Sequence, residues 1–375
     1  MKEPDGRRKV MIVNAALDLG GAEVVIANLC RHINRDLFEV YVCVLRYRGK
    51  IGDELADEGR AIITLGNGSR TANYMAGLKL LKHARGLGID LIHSHCRAAF
   101  LDCSFCKAVN PGMKFIHTFH YGNFPHVKYR YRVMDSLAAR VADKLVAVGY
   151  EQGKTIKSGY RIPDCRLETI WNGIDYRPAP EPGLLNGFVK GRTVIGTIAN
   201  LIEQKGMFYL LDTAALLKKR RSDFVFVIIG DGPLREGLER KKREMGLDDV
   251  VAFLGRMPNA AARALPCFDM FFQPSNWEAM SIVILEAMAC AKPVVATRVG
   301  DNPIVMAEGR NGFLVEAKDP AGMAAALEKL LSSADLRARF GKQSRDMFDL
   351  SFSAARMARR YERLYLHTLG EAPEN

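Results

Sequence analysis

The sequence predicts an α/β protein built as two parallel-sheet domains. Three observations lead there: a length of 375 residues, two successive series of short apolar runs alternating with helical patterns, and a proline- and glycine-rich stretch between the series. Chains of this length divide into units of about 100 to 200 residues, so two cores of ordinary size are expected. Apolar residues make up 48% and charged residues 26%, which suits a soluble globular protein rather than a disordered or fibrous one.

The first series runs through Val10–Asn14, Phe38–Leu45, Ala61–Leu65, Leu91–His93, Lys114–Thr118 and Lys144–Val148. Each run is short, apolar and bounded by turn formers, and the intervals between them leave room for crossover helices. Periodicity then stops, and Tyr176 to Gly183 concentrates proline and glycine, the composition of a linker. The second series follows at Val194–Ala199, Phe224–Ile229, Val250–Leu254, Met270–Gln273, Pro293–Ala296 and Gly312–Val315. Ala321–Leu331 and Ala354–Leu366 read as amphipathic helices, the latter with Met357, Tyr361, Leu364 and Tyr365 on one buried stripe. The predicted division is a first domain over 1–175, a linker over 176–192, a second domain over 193–350, and a C-terminal helix over 351–375 packing back toward the first domain. Two sheets of this kind are expected to turn their strand carboxyl ends, where ligands bind, toward a shared cleft.

Formal net charge is +12, most of it before Asp175, which implies an acidic partner there: nucleotide phosphates, lipid phosphates or an anionic bilayer surface. No nucleic-acid module signature accompanies the charge, so nucleic acid is not expected as a partner. Met1 to Lys9 is polar and basic, and Val10–Val13 is too short for the apolar region of a signal peptide. No window approaches the roughly 18 apolar residues of a membrane span. A cytoplasmic protein is expected, peripheral at most on the inner face of the membrane. Its eight cysteines then read as reduced thiols. Cys103 and Cys106, near His93, His95 and Cys96, are packing residues rather than half of a zinc site, because a second paired knuckle is absent.

The segment from His126 to Lys144 sets Lys128, Arg130, Arg132 and Arg140 among Tyr129, Tyr131, Val133, Met134 and Leu137, a basic amphipathic pattern suited to a headgroup layer. The competing reading turns Met134, Leu137 and Val141 toward the core and leaves the arginines merely solvated.

The sharpest chemical signal is Pro274 to Ser281, continued by Ile282 to Glu286 and Lys292 to Ala296. The strand Met270–Gln273 ends at the loop holding Glu278 and Met280, and a helix is expected to start near Ser281, so its free N–H groups suit a diphosphate. Glu278 and Glu286 form an E-x7-E pair. Both carboxylates accept hydrogen bonds from hydroxyls, Glu286 from a ribose diol and Glu278 from sugar hydroxyls.

In these residues the chain resembles the donor-site motif of glycosyltransferase family 4. Further segments match in order: Gly20-Gly21-Ala22-Glu23, Asp90 to His95, Thr118-Phe119-His120, Asn172-Gly173-Ile174-Asp175, Gln204-Lys205-Gly206, Ile229 to Leu234 and Phe253 to Arg256. The resemblance implies the GT-B fold, two Rossmann-like domains facing across a cleft, and retaining transfer from a nucleotide diphosphate sugar, with a UDP-sugar preferred, to a glycan or lipid-linked acceptor. It implies His120 and Glu278 as catalytic residues, and Gly20, Gly21, Asn200, Lys205, Met280, Ser281 and Glu286 as donor-binding residues. Gly21 would let backbone approach the phosphate, and Lys205 would place a cation on the diphosphate. His120 would meet the reacting sugar, whereas His93, His95 and His117 read as structural.

No D-x-D motif occurs, so a metal is not expected and no cofactor is implied. Asn200 stands where many family members carry an arginine, Ile304 where a glutamate is common, and Gly149 where a serine is frequent. Two rival functions remain: a sugar-nucleotide epimerase, which needs no acceptor, and an inactive nucleotide-binding scaffold.

Overall fold

A computed structural model describes residues 6–18, 20–66, 75–120, 129–185, 187, 189 and 191–371, with the side chains of 129–131 excepted. The chain forms two compact units: 1–174 together with 353–375, and 175–352.

In the first unit, strands and helices alternate: β1 (Arg8–Ala16), α1 (Gly21–His32), β2 (Phe38–Tyr47), α2 (Gly49–Asp57), β3 (Ala61–Thr64), α3 (Ala76–Gly86), β4 (Leu91–Ser94), α4 (Arg97–Val109), β5 (Lys114–Phe119), α5 (Tyr129–Val141), β6 (Lys144–Ala147), α6 (Tyr150–Tyr160) and β7 (Leu167–Thr169). The strands pair in parallel in the order β3-β2-β1-β4-β5-β6-β7. Val10 to Val13 in the centre of β1 are fully buried, as expected of a parallel strand covered on both faces. The last strand, β7, has only three residues, none of them fully buried, and so carries no apolar run for a sequence reading to find.

The second unit comprises β8 (Thr193–Ile198), α7 (Met207–Lys218), β9 (Phe224–Ile229), α8 (Arg235–Glu244), β10 (Val251–Gly255), α9 (Ala260–Ala264), β11 (Met270–Gln273), α10 (Ile282–Ala289), β12 (Val294–Thr297), α11 (Asn302–Val305), β13 (Gly312–Val315), α12 (Pro320–Leu331) and α13 (Ala334–Ser351). Its parallel sheet has the order β10-β9-β8-β11-β12-β13. Every residue of β9 and β11 is buried. Tyr176 to Glu181, linker by composition, pack on this unit. The Tyr176 hydroxyl donates to the carbonyl of Ala261, the Ala179 N–H to that of Ala262, and Arg263 pairs with Glu181.

The chain then returns to the first unit as α14 (Ala354–Leu369), whose stripe of Met357, Tyr361, Leu364 and Tyr365 is buried and packs on α1. Ile174 bridges to Ser353 in parallel, and a β-carbon on Gly173 would lie 2.5 Å from the Ser353 carbonyl oxygen. The glycine of the Asn172-Gly173-Ile174-Asp175 segment is thus required by a close backbone crossing.

Sequence reasoning left the outward residues of α5 open between two readings. Val133, Met134 and Leu137 are exposed, whereas Ala138 and Ala139, with Ala142 just past the helix end, are buried in the core of the first unit, because the small residues occupy the core-facing side. The reading that turned Met134 and Leu137 into the core is corrected. Lys128 and the side chains of Tyr129, Arg130 and Tyr131 lie outside the described residues.

Candidate functional site

Within the second unit the carboxyl ends of β8 and β11 bring together residues 73 and 74 positions apart. After β8 a single helical turn, Glu203–Lys205, ends at Gly206, which adopts φ +64° and lies so close to Pro274 that a β-carbon would stand 1.9 Å from its carbonyl oxygen. Only glycine fits. Across this contact the Asn276 N–H donates to the Gln204 carbonyl at 2.7 Å, and the Asn276 amide donates to that of Glu203 at 2.7 Å. The K-G and P-S-N-W-E segments therefore form one locked pair of loops.

Glu278 is the hub. Its Oε1 accepts from Lys205 Nζ at 2.5 Å, Ser275 Oγ at 2.8 Å and Gln273 Nε2 at 3.1 Å, while Oε2 accepts from Gln204 Nε2 at 3.4 Å. The Glu278 side chain is 6% exposed and that of Lys205 20%, so the ion pair is largely shielded and its charges strongly coupled. Gly300, at φ +51°, permits the close pass behind this loop, since a β-carbon there would meet the Glu278 carbonyl oxygen at 2.2 Å.

The Gln273 amide also donates to Ser281 Oγ at 2.9 Å. Ser281 is the N-cap of α10, but its hydroxyl makes no capping bond to the helix. The first-turn amides keep their capacity to bind an anion. Met280 and Ser281 are buried beside them. Glu286 sits in the second turn, partly exposed, where desolvation pushes its carboxyl up to about 8. Asn200, at the end of β8, is exposed.

Gly20, Gly21 and His120 belong to the first unit. Gly20 caps α1 with extended backbone and Gly21 begins that helix, while residue 19 lies outside the described residues. His120 follows β5, and its Nε2 lies 2.8 Å from His95 Nδ1. Burial drives His120 down to about 4 and His95 well below the ordinary imidazole value, so both are neutral near pH 7.

Sequence reasoning singled out Lys205, Glu278 and Ser281 separately, as a diphosphate cation, a sugar ligand and a helix start. The structure joins them through Gln273, Ser275 and Gln204, which it missed. Gln273 carried a signal, being the one polar residue in the otherwise apolar strand Met270–Gln273. Among the described residues no group of three or more histidine, cysteine or acidic side chains is arranged to hold a metal ion.

Two parallel-sheet units of Rossmann type, one with a lysine, a glutamate and an open helix N-terminus at its strand ends, define the class of GT-B glycosyltransferases. The sequence profile of glycosyl transferases group 1 matches residues 186–347, and that of Glycosyltransferase Family 4 matches residues 19–177. Between them the profiles span both units, and the chain belongs to glycosyltransferase family 4. It is 28% identical over 372 residues to the D-inositol 3-phosphate glycosyltransferase of Corynebacterium urealyticum, covering 85% of this chain and 84% of that one. It is 25% identical over 340 residues to the UDP-Gal:alpha-D-GlcNAc-diphosphoundecaprenol alpha-1,3-galactosyltransferase of Escherichia coli, covering 85% and 87%. Among solved structures, the Anabaena protein HepE in complex with UDP and glucose superposes with a TM-score of 0.84 at 20% identity, over 96% of this chain and 99% of that one.

Proposed function

We propose that this glycosyltransferase is retaining and metal-independent, and moves a hexosyl or N-acetylhexosaminyl group from a UDP-sugar to a glycan or lipid-linked acceptor in cell-surface polysaccharide or glycolipid synthesis. The observation that carries the reading is the Lys205–Glu278 pair set against the uncapped N-terminus of α10. A lysine and a helix N-terminus together neutralise a departing diphosphate, which is the work a divalent metal does elsewhere. In the step, the bond from the anomeric carbon to the phosphate oxygen breaks and the electron pair leaves with the diphosphate. The acceptor oxygen bonds the anomeric carbon on the same face, and its proton passes to the departing phosphate oxygen. Lys205, Met280 and Ser281 serve the diphosphate, as do Gly20 and Gly21 by backbone approach. Glu286 takes the ribose, Asn200 lies beside the phosphates, and Glu278 and His120 hold the sugar. The names of the relatives support this donor and these acceptors, one containing a UDP-sugar and a diphosphoundecaprenol-linked acceptor.

The test is incubation with a panel of sugar nucleotides and candidate acceptors in the presence of a chelator, followed by NMR of the product's anomeric centre. A product with the donor's configuration supports the reading. An inverted product, a chelator-sensitive reaction, or conversion of the donor sugar without any acceptor overturns it, the last in favour of an epimerase.

Peripheral contact with an anionic membrane is the second part of the reading. Neighbouring helices α3, α4 and α5 expose Met75 and Leu78, Phe105 and Val109, and Val133, Met134 and Leu137, respectively at the start or along the length of each. Lys79, Lys82, Arg85, Arg132 and Arg140 are exposed on the same helices. Among the described residues these helices bear no exposed carboxylate: Asp135 is buried against Arg97 at 2.7 Å, and the partly buried Asp102 is pushed up to about 6 by desolvation. A surface both apolar and cationic fits a headgroup layer. Among the described residues no helix is long and apolar enough to cross a membrane.

A further inference from the structure

Four histidines crowd the carboxyl ends of β4 and β5, and two are tied into the core of the first unit. His93 bonds the Tyr365 hydroxyl through Nδ1 at 2.6 Å and Thr118 Oγ1 through Nε2 at 2.7 Å. His117 bonds Ser94 Oγ at 2.8 Å and stacks on Phe100 with ring centroids 3.8 Å apart. His95 differs from both. Its ring stacks on that of His120 at 5.1 Å and 23°, its Nδ1 faces His120 Nε2 at 2.8 Å, and its main-chain N–H donates to the Val13 carbonyl at 3.0 Å. The remaining ring nitrogen, Nε2, is buried without a hydrogen-bond partner among the described residues, as is Nε2 of His117, but only in His95 does the other ring nitrogen face a second imidazole.

A neutral imidazole has one N–H and one bare nitrogen, so a nitrogen-to-nitrogen contact between two neutral rings carries a single proton. His95 Nε2 decides which ring donates it. A proton on that atom would bury an N–H with no acceptor, the kind of orphan that folded proteins tolerate least. With the proton on Nδ1 instead, His95 donates to His120 Nε2 and only a bare nitrogen is left unpaired. His120, its Nε2 occupied as an acceptor, then carries its own proton on Nδ1.

We propose that His95 is a positioning residue that holds His120 in the Nδ1–H tautomer, so that His120 meets the transferred sugar as a hydrogen-bond donor and not as a base. The proposal rests on the reading of His120 as a sugar ligand. Its geometric half stands without that reading. Both rings are kept neutral by burial, which preserves the one-way hydrogen bond across the ordinary pH range.

The test is long-range proton–nitrogen correlation NMR of the intact chain labelled in histidine, with His120 assigned by the signal lost in His120→Gln. The expected spectrum shows the proton of His120 on Nδ1 in the wild type and its release from that state in His95→Phe. A wild-type His120 protonated on Nε2 overturns the proposal, and this reading needs no variant of His95 to fold. In kinetics, His95→Phe is expected to lower kcat by about tenfold with donor KM nearly unchanged, whereas His95→Asn, whose amide N–H replaces the Nδ1–H, recovers kcat to within about threefold. An Asn variant as slow as the Phe variant also overturns the positioning role. Should His120→Gln itself turn over like the wild type, the sugar-ligand reading fails while the tautomer result stands, so the two failures are distinguishable.

Discussion

At the scale of single residues, the Lys205–Glu278 contact changes what a substitution should do. Sequence reasoning alone expects Lys205→Ala to slow transfer at least tenfold with the fold intact. The structure adds that the change strands a shielded carboxylate, which is expected to cost about 1 to 3 kcal/mol of stability. The double variant Lys205→Ala/Glu278→Gln should recover most of that stability but none of the activity. Thermal denaturation beside steady-state rates checks both, and a single variant as stable as wild type would show that the pair is not coupled. Glu286 makes a second case. Its carboxyl, held up to about 8 by desolvation, is mostly protonated at pH 7, and ribose hydroxyls donate better to the ionised form. UDP affinity measured by calorimetry should therefore rise between pH 7 and 9 in the wild type and stay flat in Glu286→Gln. Glu278→Ala should chiefly lower turnover and leave UDP affinity in place; equal loss of UDP affinity in Glu278→Ala and Glu286→Ala would end the division of labour between the two carboxylates.

At the scale of elements, α5 shows how one helix can serve two solvents. Its small residues, Ala138 and Ala139, face the core, while Val133, Met134 and Leu137 face outward beside Arg132 and Arg140. Apolar side chains exposed in this way stabilise little in the folded protein, so replacing them should not unfold it. Sedimentation with phosphatidylglycerol-containing vesicles at low salt is expected to pellet the wild type, with binding weakened by high salt because each basic residue contributes only about 1 kcal/mol. Val133→Asn/Leu137→Asn should lose most of the vesicle binding and keep the wild-type melting temperature. No sedimentation with anionic vesicles even at low salt would point to a soluble acceptor, and equal sedimentation with neutral and anionic vesicles would show that the basic residues do not drive the binding.

At the scale of the molecule, the histidines are segregated: all eight precede Asp175 or follow Phe352, and the second unit has none. His93, His95 and His117 are fully buried and held well below the ordinary imidazole value by desolvation. Unfolding lets them bind protons that the folded unit excludes. Their contribution is thus fully present above about pH 6.5 and is lost as pH falls below it, by up to about 1.4 kcal/mol per pH unit for each group. The raised Glu286 works in the opposite direction in the second unit, favouring the folded state as pH falls through 8. Denaturant unfolding followed by hydrogen-exchange labelling at fixed pH should show the first unit weakening from pH 7 to 5.5 and the second gaining stability over the same range. A parallel decline of both units would show that they unfold as one.

By itself, the sequence determined the two-sheet architecture, because parallel strands buried on both faces must be written as apolar runs. Phe224–Ile229, Met270–Gln273 and Gly312–Val315 are strands over the same residues that the pattern marks. β7 was illegible because it is short and only partly buried, and α13 because its long polar face left few buried positions to set a period. The site was legible as separate motifs. That Gln204, Gln273 and Ser275 converge on Glu278, and that His95 faces His120, only the tertiary structure decided. Gln273 and Ser275 reach Glu278 within one irregular loop that has no period, whereas Gln204 and Glu278 stand 74 residues apart and His95 and His120 25 apart, and hydrogen bonds across such distances leave no periodicity in sequence. They arise only when a parallel sheet sets successive carboxyl ends side by side.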